Sequence, residues 1–349
     1  MYTREIQAPR GSPINNGMPL QGTWNKAFDE VDLLDIRRPY SWPLPQWLRD
    51  CRIKEWECFS VQDDHFFLEA FLGNVKLYRI AQVFLYSKDS GEKFVFRKLL
   101  PGSGWHLPRT LANASVDSHS SRFFFRIHSW LAANTIKLDI DIKATRKKPA
   151  FTVHLAFNMK SRDITPMAVS LGFTDRRNMY AFKAVTAVRG DMVLGDRHFS
   201  MEPARCTGIF CDCKGFFPYR MRNIFCSGMG LDGEGRRFGF HIAENQARET
   251  RKNNENALWL NGRLSPLPPV RVTMPDGPES DWVIQDIEGM VDLVFTPKDL
   301  NRFGARLLLT SADFYMPLGY YNGMLVSAQE EQIQVRNLWG LGEKIYLRV

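Results

Sequence analysis

The segment Ile136-Lys-Leu-Asp-Ile-Asp-Ile142, the turn Thr145-Arg-Lys-Lys-Pro149 and the return Phe151-Thr-Val-His-Leu-Ala-Phe-Asn-Met159 decide the fold class. Ile136, Leu138, Ile140 and Ile142 alternate with Lys137, Asp139, Asp141 and Lys143, and Phe151, Val153, Leu155, Phe157 and Met159 continue the alternation. Successive side chains of an extended chain point to opposite faces, so this period of two makes strands with one buried face. Two such runs joined by a polar, proline-ended turn predict a β-hairpin.

Outward from this hairpin the same kind of run recurs at 54–61, 65–71, 75–87, 93–98, 122–130, 166–173, 179–187, 236–243, 256–264, 282–287, 290–296, 306–315, 332–339 and 344–349. Asp63-Asp64, Asp89-Ser-Gly91, Asp232-Gly233 and Asn261-Gly262 punctuate many of them as turns. Many short strands with few helical stretches predict an all-β barrel or sandwich and argue against a doubly wound nucleotide fold. Only Trp24, Phe28, Val31 and Leu34 approach helical spacing, which predicts one short amphipathic helix over 24–34, beyond an Arg10–Gly17 loop.

A weak internal echo sets the expected organisation. Arg52-Ile-Lys-Glu-Trp-Glu-Cys58 returns through His65–Phe71, and Arg220-Met-Arg-Asn-Ile-Phe-Cys226 returns through Arg237–Ile242. Two tandem β-barrels that each begin with a similar hairpin would produce this spacing. The expectation is an arm over 1–45, a first barrel over 46–190 and a second over 191–349, with the seam somewhere in 170–205.

With 349 residues, 44% of them apolar and 13% aromatic, the chain can bury a large core without staples, and disorder is excluded. The net charge of +8 is spread along the chain, and its densest cluster, Arg146-Lys-Lys148, sits in the hairpin turn, so nucleic acid is not an expected partner. No run reaches the ~18 apolar residues of a membrane span, and Met1-Tyr-Thr-Arg-Glu-Ile6 carries no signal-peptide pattern. Cys51, Cys58, Cys206, Cys211, Cys213 and Cys226 are therefore expected as reduced thiols in a bacterial-type cytoplasm.

Gly228-Met-Gly-Leu-Asp-Gly233 matches the dinucleotide fingerprint literally, but a strand-like segment follows where a helix is required. Cys211-Asp-Cys213 lacks the partner spacing of a zinc site, so neither a metal nor a cofactor is expected. The richest polar stretch is Asp212-Cys-Lys-Gly-Phe-Phe-Pro-Tyr-Arg-Met-Arg-Asn223, followed by Glu244-Asn245 and Glu255-Asn256. By alternation Arg220 and Arg222 share one face opposite Tyr219, and Glu55 and Glu57 share one opposite Trp56. Carboxyls enclosed in a barrel have raised pKa values, which suits general acids. The candidate acids are Glu57, Asp212 and Glu244, and Trp56, Tyr219, Arg220, Arg222, Asn245 and Glu255 are candidate substrate-binding groups. The same residues equally suit a salt-bridge network pinning the barrel ends.

Arg52-x-Lys-Glu-Trp-Glu57, Asp212-x-Lys-Gly-Phe-Phe-Pro-Tyr-Arg220 and Glu255-Asn-Ala-Leu-Trp-Leu-Asn-Gly262 resemble, in order and spacing, motifs of a bacterial family known as domain of unknown function 2804. The resemblance runs from about Gln21 to the C-terminus. Where that pattern often has tryptophans after Pro-Tyr-Arg, this chain has Asn223, Ile224 and Phe225. The family is similar to the tandem lipocalin-like group of carotenoid 1,2-hydratases, tocopherol cyclases and some fungal Diels–Alder cyclases. That resemblance implies two lipocalin-like barrels and an apolar small molecule bound in or between them, without a redox cofactor. It carries over no catalytic residue, because one fold hosts many functions.

Four functions remain open at this point: cofactor-free acid-catalysed hydration, cyclisation or isomerisation of an apolar molecule; non-catalytic carriage of a lipid or other hydrophobe; carbohydrate binding or processing; and a purely structural scaffold role. Oligomeric state is not legible.

Overall fold

A computed structural model describes residues 1–9, 11–76, 78–102, 104–306 and 311–348. Arg10, and parts of the expected strands at 75–87, 306–315 and 344–349, lie outside the described residues. The deciding hairpin forms as expected. Thr135–Ile142 pairs antiparallel with Phe151–Asn158, placing Ile136 opposite Phe157 and Ile140 opposite Val153. Its apolar face is buried, while on the other face Lys137 is exposed and His154 Nδ1 meets Asp139 at 2.8 Å.

The chain is nearly all-β, with two curled antiparallel sheets arranged in tandem. In the first, the hydrogen-bonded order is Lys93–Pro101, Tyr78–Ser87, Phe66–Asn74, Lys54–Gln62, Thr207–Gly215, Asn178–Leu194, Phe151–Asn158, Thr135–Ile142, Phe123–Trp130 and Ala114–Ser120. In the second it is Arg263–Pro266, Ala257–Leu260, Arg237–Glu244, Arg220–Leu231, Gln332–Arg348, Ser311–Val326, Val291–Arg306, Trp282–Gln285 and Arg271–Thr273. No pairing joins the two ends of either sheet among the described residues, so each is a half-barrel. The two echoing hairpins, Lys54–Gln62 with Phe66–Asn74 and Arg220–Leu231 with Arg237–Glu244, are the first hairpins of their sheets.

Thr207–Gly215 pairs with Lys54–Gln62 and Asn178–Leu194, so the first sheet extends to Gly215 and the second starts at Arg220. The chain passes between sheets at 216–219, beyond the seam expected from sequence. The expected helix over 24–34 does not form; a single 3-10 turn, Leu33–Asp35, stands in its place. The backbone N–H groups of Asp29, Glu30 and Val31 bond to Gly11 and Arg109 carbonyls instead of to preceding helical ones, and the Asp32 carboxylate caps Leu34 N. Trp24, Phe28 and Val31 are buried all the same. A helix is found slightly later, at Gln46–Arg52.

The runs at 332–339 and 344–349 are parts of one strand, Gln332–Arg348, continuous through Gly340. A Cβ there would sit 2.1 Å from the Ser227 carbonyl oxygen, so glycine permits close strand approach rather than breaking the strand. The predicted Asn261-Gly262 turn forms with φ of 47° and 75°, both left-handed, as a two-residue hairpin loop of this twist requires.

Three apolar clusters follow from this architecture. One fills the first half-barrel around Phe59, Phe157, Phe182 and Phe210. Another fills the second around Phe240, Trp282, Phe295 and Tyr321. The third lies between the sheets and draws on both: Phe67, Ile209, Cys211 and Cys213 from the first, Met221, Phe225, Leu341 and Leu347 from the second. Phe59 is fully buried with its ring 4.9 Å from both Phe157 and Phe210. We expect Phe59→Ala to cost about 3–5 kcal/mol, and Leu99→Ala, on the exposed edge strand, less than about 0.5 kcal/mol, in urea denaturation followed by tryptophan fluorescence.

Candidate functional site

Because Lys54–Gln62 alternates, Phe59 and Val61 enter the first core while Trp56, Cys58 and Ser60 face the second sheet. Asn178–Leu194 and Thr207–Gly215 present Lys183, Ile209, Cys211 and Cys213 on the same side. The second sheet answers with Met221, Phe225, Ser227, His241, Glu343 and Ile345. Where these faces do not fill the space between them, a cavity of about 100 Å³ remains, walled mainly by apolar side chains. Its polar lining is sparse and grouped.

At one wall, Lys183 from the first sheet meets Glu255, two residues before the Ala257–Leu260 strand of the second, at 2.6 Å, both at most 2% exposed. The Lys183 Nζ also contacts His241 Nε2, which lies 3.5 Å from Glu255. Asn245 Nδ2 donates to the other Glu255 oxygen at 2.7 Å. Burial alone would lower the Lys183 ammonium, but the Glu255 carboxylate overrides it and holds the amine above its ordinary range. Burial alone would raise Glu255, but the Lys183 charge holds it well below the usual carboxylate range. His241 is pushed down to about 4 by burial and by the Lys183 charge. The imidazole is therefore neutral, Nε2 accepts from the ammonium, and its proton sits on Nδ1.

Glu69 and Glu343 lie on opposing sheets. Glu69 is 5% exposed, and its Oε2 has no hydrogen-bond partner. Burial, with the Glu343 charge second, pushes Glu69 up to about 8; Arg97 opposes this. Burial pushes Glu343 up to about 7, with Lys183 opposing. Burial, and for Glu69 also the Glu343 charge, thus favours the protonated form of both carboxyls toward neutral pH. Carboxyls able to hold a proton line the same cavity as a fixed ammonium and a neutral imidazole.

Of the candidates chosen from sequence, Trp56 lines the cavity, stacked 5.2 Å from Phe217, and Glu255 belongs to the charged cluster with Asn245. Glu57 and Asp212 face each other directly across the Lys54–Gln62 and Thr207–Gly215 ladder, on the side turned into the first half-barrel. They are 1% and 2% exposed and do not line the inter-sheet cavity. Burial and the Asp212 charge raise Glu57 well above its ordinary range, and burial raises Asp212 to about 6. Glu244 lies outside the cavity at the edge, accepting from Arg271 at 3.1 Å and from Val272 N at 2.8 Å. Arg220 and Arg222 do share a face, but it is exposed, with Arg222 5.8 Å over Tyr346; Tyr219 is exposed beside Arg52.

Sequence reasoning missed Lys183, His241, Glu69 and Glu343. Lys183 and Glu69 carried one signal, a lone charge inside an apolar run, in Tyr180-Ala-Phe-Lys-Ala-Val185 and Phe66-Phe-Leu-Glu-Ala-Phe71, whereas Glu343 stands beside Lys344 and carried none. His241 in Phe238-Gly-Phe-His-Ile242 is similar to the first two. All six cysteines are free, and four are buried. Among the described residues no group of three or more His, Cys, Asp and Glu is placed to hold a metal ion. No helix among them is long and apolar enough to cross a membrane.

Solved structures share this architecture. The chain is similar to kievitone hydratase from Nectria haematococca, at 12% identity and a TM-score of 0.50, over 84% of this chain and 88% of that one. It is similar to CghA at 11% identity and a TM-score of 0.50, over 85% of this chain and 88% of that one. At these identities the likeness is one of fold. No curated protein matches the chain in sequence. Residues 3–349 match a single family throughout, and the chain belongs to DUF2804, a domain of unknown function.

Proposed function

We propose that the protein binds an apolar small molecule between its two sheets and transfers a proton to it without a redox cofactor, in a hydration, cyclisation or isomerisation. The observation that carries this reading is the Glu69–Glu343 carboxyl pair, held partly protonated beside an apolar cavity. The protonated member gives its proton to an alkene carbon or a carbonyl oxygen of the ligand. The resulting cation is met by the π faces of Phe71, Phe225 and Phe314 on the lining. It is discharged either by water, whose proton passes to the ionised carboxyl, or by loss of a neighbouring C–H proton to that carboxyl. No electrons are gained or lost overall. Lys183 and the His241 imidazole orient a polar end of the ligand, and Met221 and Met316 are the adjustable part of the wall. The name of one similar solved structure, kievitone hydratase, agrees with this chemistry.

The test starts from the apolar ligand that copurifies, identified by native mass spectrometry and returned to the protein in D2O. Wild type should introduce deuterium into ligand or product, and Glu69→Gln and Glu343→Gln should slow this by about 10²–10⁴-fold. Full rates in both variants would remove the pair from the mechanism. A ligand held but never altered would identify a carrier instead.

The raised carboxyls also fix a pH dependence. Glu69 and Glu343 bind protons more tightly folded than unfolded, where the ordinary carboxyl value is 4.5. Their stabilising contribution is therefore complete below about 4.5 and is lost as pH rises through 7 to 8. Urea midpoints should fall from pH 5 to pH 8.5, and Glu69→Gln should flatten the upper part of that decline.

A further inference from the structure

Trp42 and Trp47 are 69% and 67% exposed, and Tyr219 is 45% exposed, which is a large aromatic surface to leave in water. Contacts join Trp42, Tyr40, Arg52 and Tyr219, and Trp47 lies on the Gln46–Arg52 helix that ends at Arg52. Trp42 N donates to the Tyr40 carbonyl at 2.6 Å, the Tyr40 ring lies 5.7 Å from the guanidinium carbons of both Arg52 and Arg177, and Arg52 lies 5.9 Å over the Tyr219 ring. Arg176 donates to the Arg37 carbonyl at 3.5 Å, bringing Arg37 and Arg38 to the same neighbourhood. Arg220 and Arg222 follow Tyr219 on the exposed face of their strand.

Among the described residues no ion pair engages Arg37, Arg38, Arg176, Arg220 or Arg222. Two nearby carboxylates are committed elsewhere, Asp50 to Lys76 at 3.1 Å and Asp175 to Arg248 at 3.2 Å. The patch also borders the cavity. Lys54, Asn74, Met221 and Leu347 all line it, and each lies at or next to a strand end, within two residues of Arg52, Arg220, Arg222 or Arg348 in all but the Asn74 case.

We propose that this arginine–tryptophan patch docks the protein on the surface of an anionic lipid bilayer. Indole rings settle at the level of lipid headgroups, and arginines around them pair with headgroup phosphates and draw the protein to a negative surface. Single-stranded nucleic acid would also accept arginines and aromatic rings. The adjoining cavity favours lipid, because an apolar ligand is dissolved in bilayers, and a protein that takes it up gains by sitting where it is dissolved. In this last respect the proposal rests on the apolar-ligand reading above.

The experiment is flotation of the full-length protein with vesicles of phosphatidylcholine alone and with about 30% phosphatidylglycerol. The protein should float with the anionic vesicles only, and raising salt from about 50 to about 500 mM should release it. Trp42→Ala/Trp47→Ala and Arg37→Glu/Arg38→Glu/Arg176→Glu should each weaken binding at least about tenfold while keeping the wild-type far-UV circular dichroism. Failure to float with anionic vesicles, equal flotation with neutral ones, undiminished binding by both folded variants, or tighter binding to a single-stranded oligonucleotide would each overturn the proposal. Nile red fluorescence on the same samples separates the two readings: dye uptake unchanged in the variants leaves the cavity intact whatever the vesicles show. Absence of uptake in wild type would count against the cavity reading alone.

Discussion

Burial on both faces of Lys54–Gln62, Asn178–Leu194 and Thr207–Gly215 is the constraint from which the rest of the molecule follows. A strand in a single half-barrel has one wet face; in Thr207–Gly215 every residue is buried. One face of this group of strands completes the first core, and the other is covered by the second sheet. The two half-barrels are thus fixed to each other by an apolar contact comparable in kind to either core. The linker at 216–219 has only to pass the chain across.

Polar groups caught in such a contact have no water to fall back on, and the protein resolves them in two ways. Lys183 and Glu255 neutralise each other across the interface, with His241 and Asn245 taking up remaining hydrogen-bonding capacity. Removing either charged partner alone would leave an uncompensated buried charge, a loss of about 3–5 kcal/mol. Glu69 and Glu343 are resolved instead by retaining protons. Glu57 and, to a lesser degree, Asp212 are raised likewise within the first half-barrel, so raised carboxyls are not confined to one site. What distinguishes Glu69 and Glu343 is the space beside them: they line a cavity, whereas Glu57 and Asp212 do not.

The aromatic residues divide along the same geometry. Phe59, Phe157, Phe210, Phe295 and Trp282 fill half-barrels, and Trp56, Phe71, Phe225 and Phe314 line the space between them. Trp42 and Trp47 belong to neither set and lie on the surface with the arginines. The positive charge that looks dispersed along the chain is partly gathered there, because residues 37–38, 176–177 and 220–222 are distant in sequence but adjacent in the fold.

The sequence by itself determined the all-β class, the hairpin at 135–158, the Asn261-Gly262 turn and the tandem pair of opening hairpins, because alternation and turn chemistry act over a few residues and need no distant partner. It also marked Glu255 and Trp56. It misplaced the helix at 24–34, where Trp24, Phe28 and Val31 are apolar for the sake of a core they reach in extended form. It cut Gln332–Arg348 in two, because a glycine that admits a neighbouring strand reads locally like one that ends a strand. Only the tertiary structure decided which of two buried faces each carboxyl occupies. Glu57 and Glu69 are both buried in apolar strands, yet one turns into a half-barrel and the other toward the second sheet. That difference arises from contacts between segments distant in the sequence, such as Lys183 with Glu255, 72 residues apart.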